Sequence, residues 1–222
     1  MKYQAVIFDL DGTLLDTLED LKNSVNAAMD TMGFPKRSLD EVRNFVGNGV
    51  AKLIERAVPP NTDEETVGRT LSAFKKHYFL HCEDNTKPYD GILSLLDDLA
   101  KAGLRLAVVS NKTDSAVKSL CKCYFGDRIA LAVGEKEGVA KKPAPDSLLA
   151  VLSEWTLSPD DVLYVGDSEV DILTAKHAGV DMICVTWGFR DRDFLLDHGA
   201  SSFAESTETL KNYVFEKETE EF

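Results

Sequence analysis

Apolar residues fall along this chain in two patterns. Short, near-continuous runs are QAVIF (residues 4–8), LRLAVVS (104–110), RIALAV (128–133), DVLYVG (161–166) and DMICVT (181–186). They lack the alternation of a half-exposed strand and read as strands buried on both faces. Between them lie segments of helical period: GILSLLDDLAKAG (91–103), DSAVKSLCKCYFG (114–126), DSLLAVLSEW (146–155) and SEVDILTAKHAG (168–179). Strand alternating with helix predicts an α/β fold, a parallel sheet with helices on both faces.

Residues 16–85 break the rhythm. No strand pattern occurs there, and four stretches read as amphipathic helices: TLEDLKNSVNAAMDTMG, SLDEVRNFVG, NGVAKLIERAV and DEETVGRTLSAFKKHYFLHC. Ser38 and Glu41 have capping-box spacing, and Gly33 marks a helix stop. The predicted division is an α/β core from 1–15 and 86–222, with an all-helical cap of 16–85 inserted after the first strand. In open parallel sheets, ligands bind beyond the carboxyl ends of the strands, where a cap would sit. The tail EKETEEF (216–222) reads as a frayed, acidic helix end.

Composition narrows the function. Lys plus Arg number 25 against 38 Asp plus Glu, a formal charge of −13. Such a surface repels polyphosphate backbones, so nucleic acid is not the expected partner, and an anionic substrate needs locally placed cations or a metal. The four cysteines, Cys82, Cys121, Cys123 and Cys184, have no CxxC or zinc-type spacing, and no disulfide is expected. With no signal-peptide core and no apolar run near ~20 residues, the expected location is the cytoplasm, without a membrane partner.

The first strand leads into FDLDGT. Asp9 and Asp11, two apart, project to the same side at a strand end. An Asp-Gly hairpin at Asp11-Gly12 would need a second alternating strand, whereas a helix pattern follows. Later strand tips carry Ser110, Asn111 and Lys112; Lys141 and Lys142 before Pro143; and Asp167 with Asp171. Singly, these also read as a helix cap or a solvated lysine. Together, at the carboxyl ends of successive strands, they converge on one site.

In these four motifs the chain resembles the haloacid dehalogenase superfamily of phosphohydrolases: Asp9-Leu10-Asp11-Gly12-Thr13, Ser110, Lys142-Pro143, and Gly166-Asp167 with Asp171. VGNGVAKLIERAV (46–58), SNK, KPAPD and VGDSEVDILTAKHAG look like the phosphoglycolate phosphatase subgroup. The resemblance implies a Rossmann-like parallel sheet core with an inserted helical cap. It implies hydrolysis through an aspartyl-phosphate on Asp9, with Asp11 as acid and base. It further implies Mg²⁺ held by Asp9, the Asp11 carbonyl and Asp167, with Asp171 supporting through water or as a further ligand, since hard carboxylate oxygens suit that ion. Ser110 would bond phosphoryl oxygens and Lys142 would offset charge; Lys112 and Lys141 are its rivals. The expected substrate contacts are Thr13, Asn111, Gly47, Asn48, Gly49 and Arg56, although Gly47-Asn48-Gly49 also reads as a plain helix start and Arg56 as a solvated salt bridge. Asp16 reads as a helix-start residue, His77 and His81 as a packed helix face, and Trp155 and Trp187 as core or rim.

The expected substrate is a small phosphorylated metabolite, 2-phosphoglycolate foremost, turned over by a monomer or homodimer. Alternatives are another small-molecule phosphatase, a pyrophosphatase or a sugar-phosphate mutase, which share this machinery. A phospho-accepting receiver module is a different class. Its acceptor would follow the third strand, and it lacks a helical insertion.

Overall fold

The computed structural model describes residues 2–216, so residues 217–222 of the acidic tail lie outside the described part. The chain divides into two compact units, Met1–Leu14 with Pro88–Phe222, and Leu15–Lys87. The cuts fall at 14/15 and 87/88, not at 15/16 and 85/86. The shift reflects two short strands that periodicity cannot reveal, β2 (Leu15–Asp16) and β3 (Lys87–Pro88), which pair where the chain leaves and re-enters the first unit.

The first unit is built on a six-stranded sheet. Its strands are β1 (Ala5–Phe8), β4 (Arg105–Thr113), β5 (Leu131–Glu135), β6 (Val162–Gly166), β7 (Asp181–Val185) and β8 (Phe203–Ala204). They lie in the order β5-β4-β1-β6-β7-β8, and every pairing is parallel. Helices flank this sheet: α5 (Ile92–Lys101), α6 (Asp114–Phe125), α7 (Asp146–Trp155), α8 (Glu169–Ala178), α9 (Arg192–Asp197) and α10 (Thr207–Glu216). All four residues of β1 are buried, so both of its faces are covered. Ala5 and Ile7 join Ala107, Val109, Val162 and Tyr164 in a cluster with Leu148, Val151 and Leu152 of α7 and Ala175 and Ala178 of α8. Val6 and Phe8, pointing the other way by the period of two, are equally buried.

Two strand readings change. β5 starts at Leu131, three residues later than the apolar run, because Gly126–Arg128 turns as a 3₁₀ segment and Arg128 pairs with Asp97 at 2.6 Å. β8, two residues long, is too short to show a pattern.

The second unit carries α1 (Leu18–Met32), α2 (Leu39–Phe45), α3 (Val50–Ala57) and α4 (Glu64–His81). Gly33 ends α1 in the left-handed conformation, as its position suggests. Ser38 closes a capping box on α2, accepting from Glu41 N at 3.2 Å while its own N donates to Glu41 Oε2 at 2.7 Å. The helices bury one apolar core of their own, including Leu21, Val25, Met29, Val42, Ile54 and Phe74.

Asp20, buried on α1, closes this unit. Its carboxylate accepts from Asn85 N at 3.0 Å, Asn85 Nδ2 at 2.8 Å, and Thr86 N and Oγ1, both at 2.8 Å. Burial opposes its charge, but the bonds from Asn85 and Thr86 prevail and hold its pKa below the usual carboxylate value. Asp20→Ala orphans these donors and should cost about 2–3 kcal/mol, read by chemical denaturation. Because the folded pKa is lowered, this contribution is present above the unfolded pKa and fades as pH falls through the folded one. An Asp20→Ala protein as stable as wild type at neutral pH would count against this role.

Candidate active site

Sheet register brings the site together. Phe8 pairs with both Val108 and Val165, so the end of β1 lies level with these positions in β4 and β6. Asp9 lies one residue beyond that level, and Ser110 and Asp167 two. Asp9 N donates to Val165 O at 2.8 Å, fixing the first tip to its neighbour. After β1 the chain builds outward to β4 and β5, then returns to the other side of β1 with β6. The tips therefore meet where strand order reverses, the usual place for a crevice in such sheets.

Lys142 is the hub. Its ammonium lies 2.8 Å from Asp9 Oδ1, 2.7 Å from Asp171 Oδ1 and 3.0 Å from the Tyr164 hydroxyl. An ammonium has three N–H donors, and three acceptors surround it. Burial works against its charge, but Asp171 and Asp9 outweigh burial and hold its pKa well above the ordinary lysine value. Lys141, by contrast, is exposed beside Glu135.

Asp171 is likewise saturated. Its Oδ1 accepts from Lys142 and, at 3.0 Å, from Tyr164; its Oδ2 accepts from Ser168 N at 3.2 Å and Ser168 Oγ at 2.6 Å. These four bonds use about all the lone-pair sites a carboxylate has. Asp171 therefore anchors Lys142 and the start of α8. Asp167, fully buried, accepts from Phe189 N at 2.7 Å and Thr13 Oγ1 at 3.3 Å. Gly12, at φ +87°, and Gly188 crowd Asp167: an added Cβ would lie 2.3 Å from Asp167 Oδ2 and 2.4 Å from its Cβ, respectively.

One ligand atom from each of Asp9, Asp167 and Asp171 lies within 4.8 Å of the others. Three buried carboxylates crowd together here, and Lys142 and Arg190 offset only part of their charge. Burial pushes the Asp9 pKa up to about 7, with Lys142 opposing and Asp171 adding to the rise. Burial, then Asp171 and Asp9, push Asp167 well above the carboxylate range. That imbalance and the hard oxygen donors fit a divalent cation. Carboxylates raised above their unfolded pKa give stability that is complete below that value and lost as pH rises through the folded one. Metal-free protein should therefore lose stability from about pH 4 to about pH 7, and Mg²⁺ should raise Tm more at the higher pH. An equal Mg²⁺ effect at both values would contradict this electrostatic account.

Of the other sequence candidates, Asp11 lies apart from the carboxylate trio, with its Oδ1 2.6 Å from Lys112 Nζ. Ser110 is buried and its Oγ accepts from Lys112 N at 3.3 Å. Thr13 and Asn111, read as substrate contacts, bond within the site: Thr13 to Asp167, and Asn111 Nδ2 to the Lys142 carbonyl at 2.9 Å. In the helical unit, Arg56 holds Asn48 Oδ1 at 2.8 Å and the Phe45 carbonyl at 2.7 Å, which makes it a brace for the Gly47-Asn48-Gly49 loop instead of a solvated salt bridge. Asp16 accepts from Leu18 N at 3.3 Å, a helix-start role. His77 bonds Ser24 and stacks on His81, and His81 bonds Asp84. None of the four cysteines is joined in a disulfide.

Sequence reasoning misses Tyr164 and the segment Trp187–Phe189. Tyr164 is the one polar-tipped residue in the run VLYVG, a usable signal. Trp187 Nε1 donates to Thr13 O at 3.0 Å, linking the chain after β7 to the first motif. Nothing in local patterning announces that link.

This sequence and fold match those of known proteins. Residues 6–185 match the family model described as haloacid dehalogenase-like hydrolase, and the chain belongs to that family. A phosphoglycolate phosphatase of Chromobacterium violaceum is 33% identical over 215 residues, covering 94% of this chain and 97% of that protein. The phosphoglycolate phosphatase of Aquifex aeolicus is also 33% identical, covering 84% of this chain and 86% of its own. A crystal structure from Lactobacillus delbrueckii subsp. bulgaricus, of a protein proposed to be a phosphoglycolate phosphatase, superposes with a TM-score of 0.92 at 36% identity, covering 96% of this chain and 99% of that one. The chain is thus an enzyme of the hydrolase class. Among the described residues no helix is long and apolar enough to cross a membrane.

Proposed function

We propose that this protein is a Mg²⁺-dependent phosphomonoesterase that forms an aspartyl-phosphate on Asp9 and acts on a small phosphorylated acid, 2-phosphoglycolate foremost. The carrying observation is the pairing of buried Asp9 with Lys142, 2.8 Å apart, while Asp11 stands separately two residues on. One carboxylate is neutralised enough to approach a phosphate dianion, and the other is left for proton transfer.

Asp9 and Asp167, with the Asp11 carbonyl, would hold Mg²⁺, which when bound neutralises phosphoryl oxygens and orients the ester. Lys142 engages Asp9 Oδ1, and the other oxygen attacks phosphorus. The bond from phosphorus to the ester oxygen breaks as the Asp11 carboxyl gives that oxygen its proton. Asp11, now a carboxylate, takes a proton from water as the water oxygen attacks the aspartyl-phosphate. Inorganic phosphate leaves, and the Asp9 carboxylate and Asp11 carboxyl are restored. Ser110 donates to a phosphoryl oxygen throughout.

Names carried by relatives at 33% and 36% identity support the choice of ester. The Gly47-Asn48-Gly49 loop, braced by Arg56, is proposed to help select it. Cytoplasmic work as a monomer or homodimer belongs to the same reading. Phosphate release from 2-phosphoglycolate, sugar phosphates, pyrophosphate and p-nitrophenyl phosphate, with and without Mg²⁺, tests it. The expected result is metal-dependent release, fastest from 2-phosphoglycolate and lowered selectively by Asn48→Ala. Isomerisation of a sugar phosphate without phosphate release would replace this reading with a mutase, and undiminished turnover in chelator would remove the metal.

A further inference from the structure

The buried cations of the first unit divide the work among themselves. Lys142 directs its three donors to Asp9, Asp171 and Tyr164. Arg190 reaches Glu169 through Nε at 3.1 Å. Lys112, at the end of β4, is as buried as either, and its ammonium sits 2.6 Å from Asp11 Oδ1. A register irregularity in the β4–β5 pairing between Val109 and Thr113 accompanies this placement, and Lys112 N bonds back to Ser110 Oγ.

Asp11 is the group that meets the ester oxygen on the leaving side. A proton donor must come within about 3 Å of that oxygen. An ammonium touching the same carboxyl then stands within about 5–6 Å of it, the reach of a cation bonded to a carboxylate one carbon farther along the leaving group, whose oxygens lie about 3 Å from the ester oxygen. In a chain of formal charge −13, an anionic leaving group needs a cation placed there.

We propose that Lys112 is a specificity-determining residue, whose ammonium binds a carboxylate borne one carbon beyond the ester oxygen of the substrate. This rests on the phosphomonoesterase reading above and sharpens its substrate class to α-carboxylated alkyl phosphates. Ser110 and Asp9 handle the phosphoryl end, shared by every ester. Lys112 handles the end that distinguishes them.

The test compares kcat/KM for 2-phosphoglycolate, its uncharged amide, ethyl phosphate and O-phosphoethanolamine in wild type, Lys112→Met, Lys112→Gln and Lys112→Arg. Wild type should favour 2-phosphoglycolate over the amide and ethyl phosphate. In Lys112→Met and Lys112→Gln that preference should shrink by about 10²-fold, the worth of a charge-assisted bond, chiefly through KM. O-phosphoethanolamine, whose own cation opposes Lys112, should gain relative to ethyl phosphate. Lys112→Arg keeps a partner for Asp11 if the neutral variants fail to fold, and its displaced charge should still lower the preference about 10-fold. Equal losses on all four esters would show that Lys112 serves only Asp11, overturning the inference while leaving the phosphatase reading intact. A wild type that does not distinguish 2-phosphoglycolate from ethyl phosphate would overturn the inference and the choice of 2-phosphoglycolate, whereas failure to release phosphate from any ester would overturn the phosphatase reading.

Discussion

Asp9→Asn should abolish turnover, lowering kcat by about 10⁵-fold, while the protein stays folded. The amide cannot form the acyl phosphate, yet its oxygen can still accept from Lys142. It also removes one of three buried negative charges, at a position where burial, with Asp171 adding to it, lifts Asp9 to about 7. Stability should therefore change by less than about 1 kcal/mol in metal-free buffer. Acid-quenched wild type should carry a base-labile phosphate on Asp9, visible by mass spectrometry, and the variant none. Asp11→Ala should lose less, about 10²–10⁴-fold, and lose most on alkyl esters whose oxygen needs a proton. Wild-type rates in Asp9→Asn would end the covalent mechanism.

Lys142→Met should be the most damaging change to the fold itself. Asp9 Oδ1 and Asp171 Oδ1 lie 2.8 and 2.7 Å from the ammonium in a buried setting. Removing one partner of such a pair leaves uncompensated charge and costs about 3–5 kcal/mol. Activity should fall by at least about 10³-fold, because Asp9 then repels the phosphate it must attack. Lys142→Arg restores charge, but a planar guanidinium cannot direct three donors to acceptors arranged around a point. It should recover part of the stability and little of the rate. Adding Asp171→Asn to Lys142→Met should recover stability by removing one orphaned carboxylate, which distinguishes electrostatics from lost packing. A Lys142→Met protein with wild-type denaturation behaviour would show that the cluster needs no internal cation.

The elements are legible to different degrees for physical reasons. Strands buried on both faces announce themselves as apolar runs, so β1, β4, β6 and β7 stand within a residue or two of their bounds, apart from the extension of β4 through Thr113. β2, β3 and β8 are two residues each and leave no period to detect. Capping is local chemistry, and Ser38 with Glu41 and Gly33 behave as their spacing suggests. In the site, Asp9, Ser110, Lys142 and Asp167 are readable because each lies at or beyond the carboxyl end of an apolar run, and parallel strands bring those ends together. The partners that Thr13 and Asn111 find, Asp167 and the Lys142 carbonyl, are not legible in the sequence because they are remote along the chain.

By itself, then, the sequence determined the alternation of strands and helices, the helical insertion, and the acids and lysines gathered at strand ends, since periodicity and turn chemistry act over a few residues. Tertiary structure alone decided that Asp171 anchors Lys142, that Tyr164 joins them, and that Lys112 turns to Asp11. Those choices depend on which side chains share a buried volume, and in that volume each donor is matched to an acceptor brought there by a different strand.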